Sequence, residues 1–187
     1  MIVVLVEGSG DEKGLPVLLR RANIIGDFHC IDMHGKSNIV RQEGGFEKTL
    51  ARQSELGFSD FVVLVDRDHT FAPYSSLHEE ESGMQLRATK LAAALHGRVR
   101  VFWANRAYES WLIGGLRKGD SYCGLRRITK PVPGDTQAAP SEPKDWIKDH
   151  MLKRRYNESI QVCLTKHVDW TQARSRNKSL RDFLDNI

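Results

Sequence analysis

Two short apolar runs, Val3-Val4-Leu5-Val6 and Phe61-Val62-Val63-Leu64-Val65, end in carboxylates: Glu7 after the first, Asp66-Arg67-Asp68 after the second. Neither run alternates apolar with polar residues. A β-branched run without that period suits a strand buried on both faces of a parallel sheet, not a half-solvated antiparallel one. In open parallel sheets ligands collect beyond the carboxyl ends of the strands. One glutamate and two aspartates, far apart in the chain, are therefore expected at one sheet edge. Crowded carboxylates repel unless a cation lies between them, and an all-oxygen set selects a hard ion, Mg²⁺ or Mn²⁺.

The rest of the chain supports such a sheet. Strands are expected near 2–6, 28–33, 61–65 and 99–103, alternating with helices near 12–22, 46–56 and 83–95, and another starts at Tyr108. Asp11 suits a helix N-cap and Gly57 a C-cap. This order predicts an α/β fold with a parallel sheet of about four strands flanked by helices. After Leu116 the texture changes. Residues 117–143, with Pro131, Pro133, Pro140 and Pro143, read as a long loop or lid, followed by helices near 144–153, 158–167 and 180–186. One domain is expected overall: an α/β core over 1–116, with the loop and C-terminal helices of 117–187 packed on it.

Charge divides along the same boundary. Residues 1–116 carry a net −2 and residues 117–187 a net +6. An acidic part beside a basic one suits a metal site with a polyanion surface next to it. Arg126, Arg127, Lys153, Arg154, Arg155 and Lys166 are the candidates for contacting a nucleic-acid backbone; the plainer reading is that they solvate helices. No apolar run is long enough to cross a bilayer, so no membrane partner is expected. The first run reads as a strand, not a signal peptide. Cys30, Cys123 and Cys163 are odd in number, scattered and without CxxC spacing. They read as reduced thiols of a cytoplasmic protein, with no zinc site.

Glu7-Gly8 after the first strand and Asp66-Arg67-Asp68 after the third resemble the TOPRIM domain of topoisomerases, primases and OLD-family nucleases. Glu109-Ser110-Trp111-Leu112 looks like the Glu-x-x-Leu segment of small TOPRIM-like proteins linked to phage defence, the DUF4276-type group, and the tail from Tyr156 to Leu184 is similar to the end of that group. The resemblance implies a Rossmann-like TOPRIM sheet and Mg²⁺- or Mn²⁺-dependent cleavage or nicking of nucleic acid, DNA before RNA. It casts Glu7 as general base or acid, Asp66 and Asp68 as metal ligands, Glu109 as a ligand to a second ion or its water, and Asp11 or Glu12 as the acid of the first helix. Lys36, in the loop after the second strand, would contact a phosphate. OLD enzymes also carry an ATPase, absent here, so a separate ATPase partner is implied. Each role has a plainer competitor: Asp11 and Glu12 complement a helix dipole, Glu109 pairs with Arg106, and Lys36 is solvated.

Other motifs fail or compete. Gly8-Ser9-Gly10 with Gly14 misses GxGxxG by one residue, and Cys30 stands where a Walker A loop ending at Gly35-Lys36-Ser37 needs glycine. Asp66-Arg67-Asp68-His69-Thr70 matches the DxDxT of haloacid-dehalogenase-like phosphatases, with Asp66 as nucleophile, but two strand–helix units precede it. A non-catalytic module binding metal and nucleic acid is the other alternative.

Overall fold

The computed structural model describes residues 1–42, 45–129 and 142–187. Strands β1 (Ile2–Val6), β2 (Phe28–Asp32), β3 (Asp60–Arg67) and β4 (Arg98–Asn105) form one sheet in the order β2-β1-β3-β4, each neighbouring pair parallel. Val3 lies opposite Phe61 and Leu5 opposite Val63. Continuing that register brings Glu7 level with Val65, one residue before Asp66. The helices are α1 (Ser9–Arg21), α2 (Lys36–Val40), α3 (Phe46–Glu55), α4 (Leu77–Ala94), α5 (Tyr108–Gly115), α6 (Pro143–His150), α7 (Glu158–His167), α8 (Trp170–Arg176) and α9 (Lys178–Asn186). None of them is long and apolar enough to cross a membrane.

The central strands lack alternation because both their faces are covered. Val4, Val6, Val62 and Leu64 point into a core with Leu15 and Leu18 of α1, Trp111 of α5 and Phe183 of α9. Val3, Leu5, Phe61, Val63 and Val65 point the other way, against Ile39, Phe46, Leu50 and Met84. The C-terminal helices therefore complete one layer of the sandwich. Phe183 joins that layer to the sheet, lying edge-on to Phe102 of β4 (ring centroids 5.3 Å apart) and stacked on Trp111 (5.3 Å).

The expected α/β order is observed, with local differences. Helix α4 starts at Leu77, six residues before the expected Gly83, because Ser76 accepts a hydrogen bond from the Glu79 amide (3.2 Å) and Glu79 and Glu80 complement the first turn. A run of glutamates carries no apolar period, so this turn is silent in the sequence. Helix α6 stops at His150, not Lys153, where Met151 leaves to bridge antiparallel to Leu125. Residues 130–141 of the expected lid lie outside the described residues. The described part, 117–129, is packed, with Leu125 and Ile128 buried. The reading of three reduced thiols is corrected: Cys123 and Cys163, 40 residues apart, form a disulfide that ties this segment to α7, and Cys30 alone is free. Their separation in the chain carries no pairing signal; the packing of 117–129 against α7 creates it.

Replacing Phe183 by alanine removes a fully buried ring and both ring contacts, so a loss of ~3–5 kcal/mol in urea unfolding is expected. A loss below ~1 kcal/mol would show that the C-terminal layer does not depend on it.

Candidate functional site

Four carboxylates approach the C-terminal edge of the sheet from four elements. Glu7 follows β1, Asp66 is the penultimate residue of β3, and Asp11 and Glu109 stand in the first turns of α1 and α5. Main-chain donors hold two of them. The Asp66 amide donates to Glu7 Oε1 (2.7 Å), and the Tyr108 amide donates to Asp66 Oδ1 (3.0 Å). Gln161 of α7 holds the third, its carboxamide donating to Asp11 Oδ1 (2.7 Å). A side chain at Gly10 would collide with that carboxamide. Glu109 is 1% exposed, and its carboxyl is met by the Tyr156 hydroxyl, which hydrogen-bonds it and eases its ionisation.

A cleft of about 300 Å³ opens here, its lining including Glu7, Asp11, Gly35, Glu109, Lys144 and Gln161. Lys144, at the start of α6, reaches in from the rim, with Nζ 3.9 Å from Asp66 Oδ2. Burial outweighs the attraction of nearby lysines for every acid of the set. It pushes the Glu7 carboxyl up to about 7, eased by the Asp66 amide and reinforced by Asp68 and Asp11. It also pushes Asp11 up to about 7, with Glu109 adding to the effect and Gln161 opposing it. Asp66 is raised well above the carboxylate range by burial and then by Glu7, Asp11 and Glu109, while burial raises Glu109 against the pull of Lys144. Burial works against the Lys144 ammonium, but Glu109, Asp66, Asp11 and Glu7 together hold its proton more tightly than an ordinary lysine's.

These acids are all-oxygen donors suited to a hard cation. The carboxylates are gathered but not closed on one point. Among the described residues, the only three ligand atoms within 4.8 Å of one another belong to Cys123, Cys163 and His167.

Asp68 and Lys36 stand beside this set, close enough for their charges to act on Glu7 in opposite directions. Asp68 is turned to Lys36 (3.2 Å) and to its neighbour His69, whose amide and ring nitrogen lie 2.6 and 2.8 Å from its two oxygens. Lys36 is not offered to solvent: its side chain is 2% exposed, paired with buried Glu80 (3.0 Å), and donates to the His69 carbonyl. It latches α2 to the loop after β3. Glu12 acts on the half-buried Cys30 thiol, which desolvation first, then the charges of Glu12 and Asp11, push up to about 12. Arg126, Arg127, Lys153, Arg154, Arg155 and Lys166 are all exposed. The first five share one stretch of surface, because the Arg126 amide bonds the His150 carbonyl (2.7 Å) and the Leu152 amide bonds the Gly124 carbonyl (2.9 Å). Arg154 spends part of its charge on Asp149 (2.7 Å). Sequence reasoning missed Lys144, Gln161 and Glu80. Only Lys144 left a trace, as the first cation of a helix opened by Pro143.

In the fold these acids keep protons that the unfolded chain has already released between the ordinary carboxylate range and about pH 7. Stability is therefore full below that range and lost as pH rises through about 7. With chelator present, the protein should melt lower at pH 8 than at pH 5. Each tenfold difference in proton affinity is worth ~1.4 kcal/mol, or ~3–6 °C in a domain this size. Asp66→Asn should narrow the gap, and Mn²⁺ at ~100 times its Kd should restore ~2.7 kcal/mol at pH 8. Equal melting at both pH values in chelator would contradict the assigned burial.

For the latch, Lys36→Met leaves the buried Glu80 with only the Phe71 amide (2.9 Å) and no counter-charge and should cost ~3–5 kcal/mol, most of it recovered in Lys36→Met/Glu80→Gln, which keeps an acceptor for that amide. That double variant, if as unstable as Lys36→Met alone, would show that the charge pair is not the cause. Comparison of the chain with family models, with curated proteins and with solved structures found no match to any of the three.

Proposed function

We propose that the chain is a metal-dependent nuclease that cleaves or nicks nucleic-acid phosphodiesters at the carboxylate cleft, as its resemblance to TOPRIM nucleases implies. The observation that carries this reading is the set Glu7, Asp11, Asp66 and Glu109 gathered at one sheet edge, with Asp66 and Glu109 buried. Asp66 and Glu109, with Glu7 and Asp11, would hold Mg²⁺ or Mn²⁺. Such an ion supplies Lewis-acid charge to the phosphate and a bound water of lowered pKa.

The chain's own groups divide the remaining work. Glu7 would take a proton from the attacking water or return one to the leaving oxygen, the role the resemblance implies for it. Lys144 offers a cation at the rim, where the substrate phosphate would arrive. The N-terminus of α1 forms part of the lining and adds its partial positive charge. From Lys144 at one end of α6 to His150 at the other is ~9 Å at helical rise, and the basic tracts begin there. A nucleic-acid strand entering the cleft would meet Lys144 first and the exposed arginines and lysines beyond His150 next, while α6 between them is balanced, Lys148 being paired with Asp145 (2.8 Å).

Supercoiled plasmid incubated with Mg²⁺ or Mn²⁺ should be nicked or linearised by the wild-type chain. Glu7→Gln and Asp66→Asn should each slow this by ~100-fold or more, with helical circular dichroism unchanged. Arg126→Ala/Arg127→Ala should weaken binding more at low salt than at high salt. An intact plasmid with both metals, or full activity in Asp66→Asn, would refute the assignment. Binding without cleavage would move the reading to a non-catalytic nucleic-acid module.

A further inference from the structure

Outside the acidic cleft, one cluster combines sulfur and nitrogen donors. Cys163 and His167 stand four residues apart on α7, a spacing that puts both on one helix face. Cys123 faces them from a tight turn in which it and Gly124 are both left-handed (φ 53° and 80°). His167 Nδ1 lies 3.7 Å from Cys123 Sγ and 4.0 Å from Cys163 Sγ. The two sulfurs are partly buried and His167 is exposed, so the group is accessible from solvent. Tyr122 stacks on the imidazole (5.3 Å), and its hydroxyl donates to Asp120 (3.1 Å), which fixes the ring from outside.

We propose that Cys123, Cys163 and His167 form a binding site for a zinc-class divalent ion, populated when the disulfide is reduced and abolished when it forms. A tetrahedral zinc with Zn–S of ~2.3 Å and Zn–N of ~2.0 Å has N···S edges of ~3.5 Å and an S···S edge of ~3.8 Å. Both N···S edges are already close to that size. Only the sulfurs have to part, and reduction allows that.

The chemistry balances with a dithiol as reductant. One of its thiolates attacks a sulfur of the pair and expels the other as a thiolate. Its second thiol then resolves the mixed disulfide, leaving two protein thiols and one oxidised dithiol. A divalent ion then binds two thiolates and one neutral imidazole, releasing both thiol protons. Nδ1 lies 2.8 Å from the Cys163 carbonyl and gives up that hydrogen bond to the ion. Two thiolates and an imidazole select a borderline-soft ion and reject Mg²⁺, so this site and the carboxylate cleft do not compete for one metal. The fourth position falls to water. In either state the turn at Cys123, three residues before Arg126, remains tied to the helix whose Gln161 holds Asp11.

The test uses the whole chain in two redox states. After reduction and anaerobic removal of the dithiol, Co²⁺ should give a thiolate-to-cobalt charge-transfer absorption that saturates at one equivalent and is abolished by one equivalent of Zn²⁺. The oxidised chain should give none. Cys123→Ala should lose the band, His167→Ala should bind at least tenfold more weakly, and Cys30→Ala should bind as the wild type does. No band from the reduced wild type, or a band unchanged in Cys123→Ala, overturns the proposal. So does a reduced chain that loses its helical circular dichroism and does not regain it with Zn²⁺. Cobalt held by the carboxylates alone gives no sulfur band, so failure here is distinct from failure of the nuclease reading.

Discussion

The carboxylate edge depends on a short relay of hydrogen bonds from main-chain amides to carboxylate oxygens. The Asp66 amide is received by Glu7, and the Tyr108 amide is received by Asp66, so three acid-bearing segments are tied across β1, β3 and the start of α5. The relay exists only in the observed register. A slip of one residue between β1 and β3 would turn Glu7 away and exchange the faces of every valine in the strand. Packing on both faces forbids that slip, since Val3 and Leu5 fill one core and Val4 and Val6 the other. The hydrophobic effect therefore fixes where the charges stand, and the charges then carry the desolvation that the packing imposes.

The succession of strands and helices, the parallel sheet and the convergence of Glu7, Asp66 and Glu109 were legible in the sequence, because runs without alternation and carboxylates at their ends follow from local chemistry alone, whereas the order of the strands in the sheet was not. Long-range partners were not. Nothing around Gln161 distinguishes it from any polar residue on a helix, and its role follows only from α7 lying against α1. Lys36 and Asp68 look like a free cation and a free ligand in one dimension, yet Glu80, hidden in a run of glutamates, draws Lys36 inward and Lys36 draws Asp68. The cysteines failed for the same reason: 40 intervening residues conceal a contact made by tertiary packing.

The division of charge between the two parts of the chain acquires a spatial meaning in the fold. The positively charged tail is not a separate lobe. Its helices complete the layer over one face of the sheet, and α6 begins at the acidic cleft and ends at the exposed arginines and lysines. A single short helix thus joins the two opposite electrostatic regions. Lys144 belongs to the basic part by sequence and to the acidic site by position.

The bare backbone at Gly10 has an evolutionary corollary. The space that a methyl group would need there is filled by the end of Gln161, which must come that close to reach Asp11. Positions 10 and 161 are therefore not independent. In related chains, a larger residue at the first should accompany a shorter one at the second, and Asp11 would then need a different donor or a different occupation.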